Sequence, residues 1–321
     1  MIIGGAEDKL RKRRILREFV AASGGPEARI AVIPSASSLG DEIVEVYDAL
    51  FRAEGAAEVN VVRPESREQS HDPDLVGILE KATGVFMTGG NQLKLSSIVC
   101  GTPVGDAVVA AHARGAVVGG TSAGASIQSS HMVAFGVGGS TPKQRMTQVA
   151  AGLGLLPSTV IDQHFAQRNR YGRLLMIVAQ SPQLLGLGVD EDTAAIVHGD
   201  VLSVVGRGAV TILDPRNITT NAFDARRSAP LLASGVVLHV LPQGARFDLV
   251  TRTLLPFETP VDPLEAAEIE EAGHDLRQMA RDIAAGDASP SVLRRRLRRK
   301  RRPDSPADAP ADLSTTDGDH A

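Results

Sequence analysis

Short apolar runs closed by turn residues alternate along this chain with longer stretches in which apolar positions return every three or four residues. The runs at 30–34 (IAVIP), 59–62 (VNVV), 84–87 (GVFM), 116–120 (AVVGG) and 159–162 (TVID) are near-continuous, as strands buried on both faces are. Between them, 40–55 and 105–115 carry apolar residues at helical spacing and end in glycine, which predicts amphipathic helices. The alternation predicts repeated βα units and an α/β fold with a mostly parallel sheet covered on both faces. Beyond Gly186 the runs shorten and glycine turns separate them, which predicts antiparallel hairpins extending that sheet. The segment 141–157 reads as a loop followed by a turn.

Composition narrows the class. With 321 residues, 43% of them hydrophobic, the chain can bury a sizeable core, and at 3% aromatic with no Trp that core is expected to be Val, Leu, Ile and Ala. Stacking platforms for nucleic acid are not expected. A single cysteine, Cys100, cannot form an internal disulfide and fits the cytoplasm; no apolar run approaches the length of a membrane span. Met1-Ile2-Ile3 is a short lead into a strand, which leaves room for further residues upstream, while MIIGGAEDK itself is not a signal peptide. Residues 262–285 read as a charged helix. The run 293–302, LRRRLRRKRR, carries eight positive charges inside a chain of formal net charge −4, so the basic character is local. For 286–321 a disordered solvated tail is expected, with contact of 294–302 to an acidic partner as the alternative.

The candidate chemistry starts at Gly120-Thr121-Ser122-Ala123-Gly124, which fits G-x-S-x-G, follows a predicted strand and precedes a stretch able to open a helix. Glycines flanking the serine leave room for a sharp strand-to-helix turn, a nucleophile elbow, with the Ala123 N–H as an oxyanion donor. A tight β-to-α turn or a phosphate loop would carry the same letters. A nucleophilic serine needs a base oriented by a carboxylate. His71, His112, His131, His274 and His320 sit in polar helical, loop or tail contexts, and His239 lies in an apolar strand. His164 stands just past the run 159–163, at the edge where an α/β sheet assembles its site. Of the acids 190–192, strand alternation sets Asp190 and Asp192 on one face and leaves Glu191 alone on the other. A second oxyanion donor is expected from Thr88-Gly89-Gly90-Asn91-Gln92. No cluster has zinc-ligand spacing, so neither a metal nor another cofactor is expected. After His164, Arg168, Arg170 and Arg173 gather on or near one helical face, either to hold substrate carboxylates bidentately or as a solvated surface.

The segments GGAEDK (4–9), TGGNQ (88–92), GGTSAGAS (119–126), GLGLLP (152–157), DQHFAQRNRYGRL (162–174) and GLGVDEDTA (186–194) together resemble cyanophycinases over roughly residues 1–255. These are serine peptidases of a family that also holds aspartyl dipeptidases. The order serine, histidine, acid sets them apart from α/β-hydrolases. The resemblance implies a three-layer αβα domain over 1–261, class I glutamine amidotransferase-like, with Ser122 as nucleophile, His164 as base and Glu191 as its orienting acid. It implies Gly90 and Ala123 as the oxyanion hole, and Gln92, Asp162, Gln163, Arg168, Arg170 and Arg173 as the lining of the substrate pocket. The implied activity is exopeptidase release of β-Asp-Arg dipeptides from cyanophycin (multi-L-arginyl-poly-L-aspartate) through an acyl-enzyme, in a cytoplasmic homodimer. The alternatives are an aspartyl dipeptidase and a non-catalytic ligand-binding relative.

Overall fold

Five short strands, β1 (Ile2–Ile3), β2 (Arg29–Ile33), β3 (Glu58–Val61), β4 (Gly84–Met87) and β5 (Val117–Thr121), lie side by side in the order β1-β5-β4-β2-β3, all parallel. They belong to a computed structural model that describes residues 1–257 together with His274 and Arg277. Because every strand alternates its side chains, each must find apolar cover above and below. Ile30, Val32 and Phe86 pack against the helices Arg14–Ala22 and Asp41–Ala53, whereas Ala31, Ile33, Val85 and Met87 pack against Pro73–Lys81, Gln92–Val99 and Pro103–Ala113. Full burial of such side chains stabilises the fold by about 1.5–3 kcal/mol each. The core is less purely aliphatic than the composition suggests. Phe19, Tyr47, Phe51 and Phe86 form one cluster with ring centroids 4.8–5.7 Å apart.

Seven longer strands follow: β6 (His131–Gly136), β7 (Thr147–Ala151), β8 (Thr159–Gln163), β9 (Leu185–Val189), β10 (Thr193–His198), β11 (Val201–Gly206) and β12 (Val210–Asp214). As expected, β10 and β11 extend the main sheet antiparallel from β1; the hairpin formed by Arg246–Asp248 and Thr253–Leu254 continues it, giving nine strands, five of them parallel. Two expectations fail. The strand after Ser158 does not join the main sheet: β8 pairs parallel with β9, and β12 and Val237–Leu241 complete a separate four-stranded sheet. The segment 141–157 is not simply a loop, since β7 returns antiparallel along β6.

Among the described residues, no single helix is long and apolar enough to cross a membrane. The charged helix expected over 262–285, apart from His274 and Arg277, and the tail 286–321 lie outside the described residues.

Candidate active site

The parallel strands and the second sheet meet where β5, β8 and β9 end, and each of these three ends carries one of the expected residues. Ser122 directly follows β5 and precedes the short helix Ala123–Ser126. Its backbone, at φ 53 and ψ −106, makes the turn sharp enough for the hydroxyl to project from the strand end. The turn closes because Gly120 and Gly124 lack side chains: a Cβ on Gly120 would stand 2.2 Å from the Gly124 carbonyl oxygen, and one on Gly124 would stand 2.1 Å from that of Met87.

His164 directly follows β8, and Glu191 lies in the turn between β9 and β10. Ser122 Oγ is 3.0 Å from His164 Nε2, and His164 Nδ1 is 2.6 Å from Glu191 Oε1. A carboxylate only accepts hydrogen bonds, so the imidazole proton sits on Nδ1 and leaves the Nε2 lone pair facing the hydroxyl. Burial is the strongest influence on the ring and lowers its pKa. Arg168 and Arg170 push it in the same direction, Glu191 pulls it back, and the net result lies below the usual histidine value.

Glu191 is separated from its acidic neighbours by a turn rather than by strand alternation. Asp192 adopts φ +49, which ends any extended run. Asp190 accepts the N–H groups of Ala166 and Ala209, and Asp192 accepts that of Asp8, so only Glu191 reaches the imidazole.

On the other side of Ser122 the loop after β4 approaches closely: a Cβ on Gly89 would stand 3.4 Å from the Ser122 Cβ. Gly90, at φ +142, lies against the Ala36 carbonyl, a backbone approach that only glycine permits. Ala123 opens its helix, where the N–H has no acceptor four residues back. No acceptor among the described residues takes either the Gly90 or the Ala123 N–H. Gln92 begins the next helix and donates from Nε2 to the Val133 carbonyl on β6 at 3.1 Å, so β6 forms one wall of the site.

The three arginines divide. Asp162 is fully buried, and Arg173 grips it through Nε (2.6 Å to Oδ2) and Nη2 while donating from Nη1 to the Gly136 carbonyl at 2.9 Å. All three Arg173 nitrogens are thus engaged inside the protein. Arg170 uses Nη1 alone, towards Asp162 Oδ1 at 3.2 Å and Gln163 Oε1 at 2.6 Å. Burial lowers its pKa to about 10 despite the pull of Asp162. Arg168 is exposed and has no side-chain partner among the described residues. The i, i+3 spacing therefore brings Arg170 and Arg173 together on an internal carboxylate, not on a solvent-facing surface. Sequence reasoning assigned no task to Gly4, Gly5 and Glu7, which pack against this site; the charged GGAEDK segment beside a buried strand was the available signal.

Comparison with known proteins adds an independent line. The profile of peptidase family S51 matches residues 1–205. A cyanophycinase from Nostoc sp. is 43% identical over 260 residues, covering 80% of this chain and 87% of that protein. One from Geminocystis herdmanii is 39% identical over 254 residues, covering 78% and 93%. Among solved structures, a peptidase from an acI-B1 Actinobacterium superposes with a TM-score of 0.51 at 21% identity over 73% of this chain and 94% of that one, a likeness of fold.

Proposed function

This chain belongs to peptidase family S51, and from that premise we propose that it is a cyanophycinase acting through Ser122, His164 and Glu191. The observation that carries the proposal is the hydrogen-bonded relay from hydroxyl to imidazole to carboxylate, with both distances inside proton-transfer range. As Ser122 Oγ attacks an aspartyl carbonyl of the polymer backbone, His164 Nε2 takes its proton, and Glu191 steadies the imidazolium that forms. The tetrahedral oxyanion settles between the N–H groups of Gly90 and Ala123. His164 then hands its proton to the leaving amine, and water, activated by the same imidazole, hydrolyses the acyl-enzyme and frees β-Asp-Arg.

Each cyanophycin branch carries a carboxylate and a guanidinium. Arg168 and the Nη2 and Nε of Arg170, which have no partner among the described residues, suit the former, while Gln92 offers its carbonyl oxygen to donors. Asp162, Gln163 and Arg173 support this lining from below. The nucleophile elbow, the glutamine amidotransferase-like arrangement of three layers and a homodimer belong to the same proposal, supported by resemblance; a cytoplasmic location is supported by the lone, unpaired Cys100.

Incubation with insoluble cyanophycin, beside an α-aspartyl dipeptide, tests the reading. Soluble β-Asp-Arg from the polymer is expected; hydrolysis of the dipeptide alone would replace it with a dipeptidase. Two further results follow from the electrostatics. The rising limb of kcat/KM against pH reports the proton that must leave His164, so its midpoint is expected below the usual histidine value. In Arg168→Ala that midpoint moves upward, because a repelling charge is gone, and KM for the polymer rises about 10-fold, the cost of one charge-assisted hydrogen bond. A pH profile of this variant matching the wild type would remove Arg168 from the site.

A further inference from the structure

Three consecutive backbone carbonyls at the start of the chain each hold one corner of the site. The Ile3 carbonyl accepts the Ser122 N–H at 3.0 Å, the Gly4 carbonyl accepts the His164 N–H at 2.8 Å, and the Gly5 carbonyl accepts the Asp192 N–H at 2.9 Å, next to Glu191. The three donors share a further property: Ser122, His164 and Asp192 have φ of +53, +46 and +49, a left-handed backbone that side-chain-bearing residues rarely adopt. Such conformations persist only where the surroundings fix them. Here one turn fixes all three.

The turn also shapes the base. Gly5, at φ +103, lies flat against the imidazole, and a Cβ there would stand 2.2 Å from His164 Cε1 and 2.6 Å from Nε2. Its far end is anchored by Glu7, 4% exposed, which accepts hydrogen bonds from Thr121 Oγ1 at 2.6 Å, Tyr47 OH at 2.5 Å and Lys9 Nζ at 2.7 Å. Burial alone would raise the Glu7 pKa, but the Lys9 charge and the three hydrogen bonds outweigh it and hold the carboxylate ionised, below its usual value. Thr121 immediately precedes Ser122 and pairs with Ile3 across β1 and β5. The turn is thus fastened to the nucleophile strand at both ends.

We propose that residues 3–7 are the positioning element of the triad, with Gly5 as the seat of the imidazole and Glu7 as the lock between this turn and the nucleophile strand. The proposal rests on Ser122 being the nucleophile. Neither Gly5 nor Glu7 touches the reacting atoms through a side chain; both act through Ser122 and His164.

The test is the rate at which a fluorophosphonate labels Ser122, with fluoride as leaving group and the adduct located by peptide mapping, together with kcat, KM and thermal melting of each full-length variant. Gly5→Ala is expected to label roughly 100-fold more slowly than wild type, the effect of misplacing a reacting group by about 1 Å. Should that variant fail to fold, the Thr121 pair decides. Thr121→Val, which removes the hydrogen bond to Glu7, is expected to lower kcat about 10-fold with KM within about twofold, and Thr121→Ser to restore it. Glu7→Gln should fall with Thr121→Val. Folded variants that label at the wild-type rate would overturn the proposal, as would a kcat loss that follows melting temperature and is not rescued by Thr121→Ser. A wild-type protein labelled elsewhere than Ser122 would instead overturn the assignment of the nucleophile.

Discussion

Ser122→Ala is expected to lower kcat on cyanophycin by a factor on the order of 10⁴ or more while leaving thermal melting unchanged. The two halves of that expectation have separate physical origins. Among the described residues the Ser122 hydroxyl is the one hydrogen-bonded to His164 Nε2, so on the proposed mechanism its removal leaves the oxyanion donors and substrate contacts but no covalent route. Stability is insensitive because among the described residues the Ser122 side chain makes one hydrogen bond, to His164, and alanine faces the same backbone constraint at φ +53 that serine does. The Ile3 and Gly120 contacts that shape the turn are made by backbone and survive the substitution. Circular dichroism melts beside turnover on insoluble polymer read both halves. A melting shift comparable to that of a core substitution would mean that the serine is structural.

The second large effect falls on stability. Arg173→Ala is expected to destabilise the fold by about 3–5 kcal/mol, because it leaves a fully buried carboxylate, Asp162, with one cationic contact among the described residues, Arg170 Nη1, beside the Gln163 N–H. For a protein of this size that corresponds to a fall in melting temperature on the order of 10 °C. The loss also releases the Gly136 carbonyl, and with it the tie between β6 and β8, the strand that His164 follows. Asp162→Ala/Arg173→Ala should cost less than the sum of the two single changes, since the unpaired charge is gone in the double variant. Denaturant titration of all three proteins checks this. If Arg173→Ala raised KM with no loss of stability, the guanidinium would belong to the substrate pocket directly.

That contrast marks where the sequence stops being informative. Spacing of i, i+3 places Arg170 and Arg173 on one helical face, but whether that face meets solvent or Asp162 depends on what packs over it, here β8 and the Gly136 end of β6, and no local pattern encodes that. The βα alternation from β2 to β5 was legible because strands buried on both faces read as continuous apolar runs, whereas β1 has only two residues. The segregation of β8 and β9 into their own sheet was not, since identical runs can pair with either neighbour. β7 escaped notice for a related reason: Thr147–Ala151 exposes most of its residues, so its pairing with β6 leaves little apolar signature. Ser122 and His164 were readable because glycines flank the first and a strand run ends at the second. Glu191, which reaches His164, is singled out by alternation on the sequence, where a turn does the separating in the structure. The part played by residues 3–5 is carried by backbone carbonyls, which leave no trace in side-chain identity beyond the two glycines.

The most direct measurement is a rapid acid quench of the wild-type protein turning over a short cyanophycin segment, followed by peptide mapping by mass spectrometry. An acyl group esterified to the peptide carrying Ser122 is the predicted result. Hydrolysis at full rate with Ser122 unmodified, and the adduct on another side chain, would contradict the account.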